Sequence, residues 1–131
     1  MGFPAERESA TAARRFAERT LHDWRCEALL ESTRLLVSEL VINAVLHAAS
    51  PAHVRLRLAD GRLRVEVSDD SPALPRRQPF SPTAPSGRGL RIVDALASDW
   101  GVEQRDGPPG KTVWFELTHD ALADDLDSRT A

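Results

Sequence analysis

The sequence predicts an α+β fold: a two-layer sandwich with helices on one face of a mainly antiparallel sheet. Three observations point there. The elements run helix, helix, hairpin, loop, helix, hairpin, which groups strands as hairpins rather than alternating them strictly with helices. The first hairpin is apolar on one face and charged on the other, as expected of a sheet covered on one side. The second helix is apolar around most of its circumference, which marks a helix packed inside a core. A length of 131 residues suits one domain. Residues 1–120 are read as that domain, and 121–131 as an acidic tail expected to be disordered.

Taken in order, Ala13, Phe16, Ala17, Thr20, Leu21 and Trp24 recur at helical spacing over residues 9–24. Arg14, Arg15, Glu18 and Arg19 fill the opposite side, so this helix packs by one stripe. A second helix is predicted over 31–49, with Pro51 ending it. Val54, Leu56 and Leu58 then alternate with His53, Arg55 and Arg57. Leu63, Val65 and Val67 alternate with Arg62, Arg64 and Glu66. Asp60-Gly61 between the two runs is a tight-turn signal. Residues 71–86 hold five of the nine prolines and cannot form a regular helix or central strand. A third helix over 90–97 follows. Strands over 100–104 and 113–118 come last, joined by a turn at 107–110.

Hydrophobic content is 41% and charged content 28%, ordinary for a soluble globular protein. Net charge is −3, and it resides in 120–131, where Asp120, Asp124, Asp125 and Asp127 face one base, Arg129. A neutral body argues against direct nucleic-acid binding, which needs a basic footprint. Cys26 is the single cysteine, so no internal disulfide forms, in keeping with a reducing compartment. No apolar run approaches the roughly 18 residues of a membrane span, and no signal peptide is evident. The expectation is a cytoplasmic protein with no membrane contact.

Three stretches carry candidate chemistry. Glu39, Asn43 and His47 fall at i, i+4 and i+8 on the second helix and form one polar seam. The seam is either a solvent-facing helix edge or the lining of a pocket, because a buried carboxylate or amide needs a partner. Asp69 continues the inward parity of residues 63, 65 and 67. It is either an inward acid able to accept a hydrogen bond from a buried amine, or part of a solvated turn, Asp69-Asp70-Ser71-Pro72. Gly87-Arg88-Gly89-Leu90 leads into a helix, where glycines and free N–H groups suit a phosphate.

Two apparent motifs fail on spacing. Gly110-Lys111-Thr112 lacks the P-loop's earlier glycine, since position 105 is Arg105, and a strand follows it. Gly87-x-Gly89 lacks the third glycine and the preceding strand of a dinucleotide fingerprint. His22, His47, His53 and His119 show no metal-ligand spacing.

In order, these stretches resemble the Bergerat-fold (GHKL) ATP-binding domains, most closely the small anti-sigma-factor serine kinase-like proteins. Glu39-x-x-x-Asn43-x-x-x-His47 is similar to the N-box, Asp69-Asp70-Ser71-Pro72-Ala73 to a degenerate first G-box, and Gly87-x-Gly89-Leu90-x-Ile92-Val93 to the second. The resemblance spans about residues 9–118. It implies ATP and Mg²⁺ as cofactors. Asn43 would hold the metal, and Asp69 would accept from the adenine amino group. Gly87, Arg88, Gly89 and Leu90 would wrap the phosphates, with His47 near the phosphate side and Glu39 as general base. Departures are Ser71 and Ala73 in place of both first-box glycines, and Leu46 where many relatives carry a base. Lys111 stands where a threonine is usual, and parity puts Thr112 on the other face, away from Asp69. The first strand is represented only by Phe3-Pro4, and relatives often dimerise through their sheet, so a homodimer stays open.

Two functions follow from the resemblance. One is a serine/threonine-protein kinase of the anti-sigma-factor type, which would phosphorylate a small antagonist protein and sequester a sigma factor. The other is a catalytically inactive nucleotide-binding or partner-docking module controlling transcription. Glu39 favours the enzyme, and the eroded first G-box favours the module.

Overall fold

The computed structural model describes residues 1–71, 97–106, 109–118 and 129–131. The chain enters as a short strand, β1 (Gly2–Phe3), followed by helices α1 (Ser9–Asp23) and α2 (Leu30–Ile42). A single 3₁₀ turn, Glu27–Leu29, leads into α2, and a π-turn, Asn43–His47, extends it. Strands β2 (Ala52–Ala59), β3 (Arg62–Asp69), β4 (Asp99–Asp106), β5 (Pro109–Thr118) and β6 (Arg129–Thr130) complete the described elements. The expected α+β architecture is what forms: one antiparallel sheet in the order β1-β2-β3-β5-β4, with α1 and α2 packed on one face. The Pro-rich stretch and nearly all of the helix expected at 90–97 fall on 72–96, outside the described residues.

The β2–β3 hairpin forms as its alternation predicts, pairing Val54 with Val67, Leu56 with Val65 and Leu58 with Leu63. Asp60 and Gly61 take φ of 54° and 73°, the two positive values that a two-residue turn of matching twist requires. Inward residues Val54, Leu56, Leu58, Leu63, Val65, Phe115 and Leu117 are buried against Ala13, Ala17 and Leu21 of α1 and Leu36, Val37, Leu40 and Val41 of α2. The alanines of α1 present little bulk, which lets α2 lie close beside it. Each fully buried aliphatic side chain contributes about 1.5–3 kcal/mol of transfer free energy.

Four features differ from the sequence reading. The helix after α1 is not apolar-packed all round: Leu35 and Leu46 are each 44% exposed. The core takes only the Leu36–Leu40 side of α2, since one helix cannot bury every face in a two-layer domain. The helical region also ends at His47, with Ala48 as its cap and Ala49 in the left-handed region at φ 49°, before Pro51 could act. Gly110 belongs to β5 rather than to the preceding turn.

The fourth concerns the acidic tail. Arg129–Thr130 pair with Leu58 and Arg57 on the open edge of β2, and Leu56 exchanges both backbone hydrogen bonds with Ala131 at 2.7 Å. An unpaired strand edge offers a row of free N–H and C=O groups, and these residues take that row. Residues 129–131 are therefore paired with the sheet, and residues 119–128 lie outside the described residues. Along the same edge, Gly2 and Phe3 pair with His53 and Ala52, so the first strand exists in two residues.

The orientation of α2 gives a contrast between neighbours. Leu36→Ala should lower stability by about 2–5 kcal/mol, whereas Leu35→Ala, one residue earlier, should change it by about 0.5 kcal/mol or less. Urea unfolding of the two variants measures the difference.

Candidate functional site

β3 carries Asp69 to the inner face at its last residue. The burial pattern of the strand alternates without a break from Leu63 to Asp69, and Asp69 is buried at 6% exposure. The inward-acid reading therefore holds, and the solvated-turn reading does not. The carboxylate is held from several sides. Ser71 donates its backbone N–H to Asp69 Oδ1 at 2.9 Å. Lys111, directly opposite on β5, places its Nζ 3.0 Å from Oδ1 and 3.0 Å from Oδ2. Arg105 on β4 donates to the Asp69 backbone carbonyl at 2.6 Å.

Gly110 is a packing requirement of this arrangement. A Cβ there would lie 2.5 Å from the Asp69 carbonyl oxygen and would also collide with the Arg105 guanidinium. Lys111 is buried as deeply as Asp69, at 6% exposure. Burying two opposite charges costs several kcal/mol per ion, which mutual attraction offsets only with close geometry. Both contacts at 3.0 Å, together with the Ser71 amide, supply that geometry. Thr112 faces the other side and hydrogen-bonds the Ser68 hydroxyl at 2.7 Å, as strand parity predicts.

The polar seam sits on the last turns of α2. Glu39 and Asn43 are half-buried, between the core residues Leu40, Val41 and Ala44 and the open side. Glu39 is engaged in a contact of its own. At Asn43 the bonding pattern widens: the Ala48 N–H donates to the Asn43 carbonyl at 3.1 Å, an i→i+5 bond. Such π-turns recur at functional positions, because they displace side chains from the regular helical path. The i+4 rule that aligns Glu39 with Asn43 therefore stops at Asn43, and His47 closes the π-turn by its backbone.

Ser50 ties the seam-bearing element to Asp69. Its N–H donates to the Ala44 carbonyl at 3.1 Å, and its Oγ accepts the Asp70 N–H at 2.8 Å while donating to the Pro51 carbonyl at 2.8 Å. The end of the helix and the tip of β3 are thus joined through one buried hydroxyl. Sequence reading passed over Ser50, and only its position just before Pro51 hinted at a loop hydrogen bond. It also left Lys111 without a partner, although an inward lysine opposite an inward acid was a complementarity signal. Gly87, Arg88, Gly89 and Leu90 lie outside the described residues.

The donor set bears on what the site can hold. Among the described residues no group of three or more His, Cys, Asp or Glu side chains converges. The half-buried Asn43 amide fits a hard cation bound through one protein oxygen with phosphate oxygens completing its shell. Among the described residues three contacts reach the Asp69 carboxylate, which has about four acceptor positions, so acceptor capacity remains on Oδ2. No described helix is long and apolar enough to cross a membrane.

A helix-backed antiparallel sheet with an inward acid at a strand tip is consistent with the fold of a kinase-like ATPase domain. The comparison with known families agrees: residues 3–117 match the histidine kinase-like ATPase domain, and the chain belongs to that family. It is also similar to an uncharacterised protein of Streptomyces coelicolor, 49% identical over 59 residues, or 43% of this chain. That match spans 56% of the relative's length.

Removing the Ser50 hydroxyl tests the tie. Ser50→Ala should cost about 1 kcal/mol, because it removes the acceptor of the part-buried Asp70 N–H bond. Hydrogen exchange should show faster exchange at the Asp70 amide, with the Leu56 amide unchanged.

Proposed function

We propose that this chain is an ATP-binding regulatory protein and acts as a serine/threonine-protein kinase of the anti-sigma-factor type. The observation that carries the reading is the buried Asp69 at the β3 tip, bonded through Asp70 and Ser50 to the element bearing Glu39 and Asn43. In this reading Asp69 accepts from the adenine amino group through Oδ2. Asn43 supplies one oxygen to Mg²⁺. Gly87, Arg88, Gly89 and Leu90 give backbone N–H groups to the phosphates, and His47 stands on the phosphate side. When bound, Mg²⁺ neutralises phosphate charge, which is the main demand of phosphoryl transfer.

Glu39, one helical turn before Asn43, acts as the general base. It takes the proton of an incoming serine or threonine hydroxyl as that oxygen bonds to the terminal phosphorus and the bond to the bridging oxygen breaks. The substrate is a small antagonist protein, and a sigma factor is a second protein partner. A homodimer is compatible with this role, as is a cytoplasmic location. The second reading, a catalytically inactive nucleotide-binding or partner-docking module, is favoured by Ser71 and Ala73 in place of flexible glycines.

Isothermal titration with Mg²⁺-ATP tests the nucleotide reading. The native chain should bind, and Asn43→Ala should lose at least about tenfold in affinity while keeping its thermal unfolding midpoint. Unchanged affinity in that variant would remove Asn43 from the metal. Glu39→Gln should bind Mg²⁺-ATP normally but lose about 10²–10⁴-fold in transfer of radiolabelled phosphate to an antagonist protein. Transfer at the native rate would remove Glu39 as the base, and no transfer by the native chain would leave the module as the better reading.

A further inference from the structure

The Asp69–Lys111 pair offers more than a carboxylate can. A carboxylate presents acceptors only, so by itself it reads an amino group and nothing beside it. Lys111 Nζ donates to Asp69 Oδ1 at 3.0 Å and lies 3.0 Å from Oδ2, so even with a donor on each oxygen one of its three N–H groups is left over. The Ser71 amide occupies a further position on Oδ1, so among the described residues the open acceptor position is on Oδ2. The pair therefore carries an acceptor and a charged donor side by side at the inner tip of the sheet. Adenine's pairing edge has the complementary order, an amino donor next to the ring nitrogen N1, which is an acceptor.

We propose that Lys111 is a base-contacting, specificity-determining residue that donates to the adenine ring nitrogen N1 while Asp69 accepts from the neighbouring amino group. The assignment rests on the nucleotide reading above. Three features of the fold support it. Register places Lys111 directly across from Asp69, so the ammonium is held by the ladder and by the carboxylate together. Gly110 removes the one Cβ that would push the Asp69 backbone and Arg105 apart. The lysine is nearly fully buried, where a charged donor discriminates strongly against a ligand that cannot accept.

The test pairs ligand atoms with the residue. Affinities are measured for ATP, for 1-deaza-ATP (which keeps the amino group but replaces N1 with carbon) and for purine riboside triphosphate (which lacks the amino group). The native chain should bind 1-deaza-ATP about tenfold or more weakly than ATP, the loss expected for one hydrogen bond to a charged donor. Lys111→Met should bind ATP and 1-deaza-ATP alike, because the donor is gone. Equal binding of these two ligands by the native chain overturns the proposal without needing the variant to fold. Tighter ATP binding by Lys111→Met overturns it as well, making the lysine a competitor for Asp69. Native binding of purine riboside triphosphate as tight as ATP removes Asp69 from base reading, and no binding of any of the three ends the nucleotide reading itself.

Discussion

The contact between Asp69 and Lys111 constrains much of what surrounds it. Two opposite charges buried to this depth require close pairing, and neither can be removed without stranding the other. Their positions are set by the β3–β5 ladder, which also aligns Val67 with Val113 and Val65 with Phe115 in the core. The same ladder puts Gly110 against the Asp69 backbone, and the β4–β5 pairing of Arg105 with Gly110 brings the guanidinium to it. Shifting β5 by one residue would turn Lys111 outward and drive Thr112 inward, opposite an acid it could not neutralise.

The two-layer packing and the site share their elements. Leu36, Leu40 and Val41 hold α2 to the sheet from one side, while Glu39 and Asn43 stand at the margin of the same contact. The π-turn at Asn43–His47 interrupts the helix where it passes from core to site. Ser50 then returns the chain to the β3 tip before β2 begins. Rigid packing beneath and hydrogen bonds above give a site borne on a helix end and a strand end, which hold side chains more firmly than a free loop does.

The opposite face of the sheet has a separate character. Arg64 lies over the Trp114 ring at 4.2 Å and pairs with Glu66 and Glu103, and Gly101 leaves room for the indole. Nearby, Arg57, Arg62, Asp60 and Glu116 line a shallow concavity of about 550 Å³. With Arg64 also on its wall, three bases face two acids there, on the side of the sheet away from Asp69.

Much of the fold could be read directly from the residues. Alternation in 53–58 and 62–67, the Asp60-Gly61 turn and the alanine stripe of α1 are local patterns, and local patterns report which face each residue takes. Inward parity offered a buried Asp69 beside a solvated-turn alternative, and burial in the assembled sheet decided between them, while parity was enough to turn Thr112 away. Tertiary structure decided the partners. Asp69 and Lys111 are 42 positions apart, and Asp70 and Ser50 are 20 apart, so their meeting depends on strand register and on where α2 ends. The pairing of 129–131 with β2, and the exposure of Leu35 and Leu46, likewise depend on which edge and which helix face the assembled core leaves open. Periodicity carries the direction of a side chain along one element; only packing between elements determines what that side chain touches.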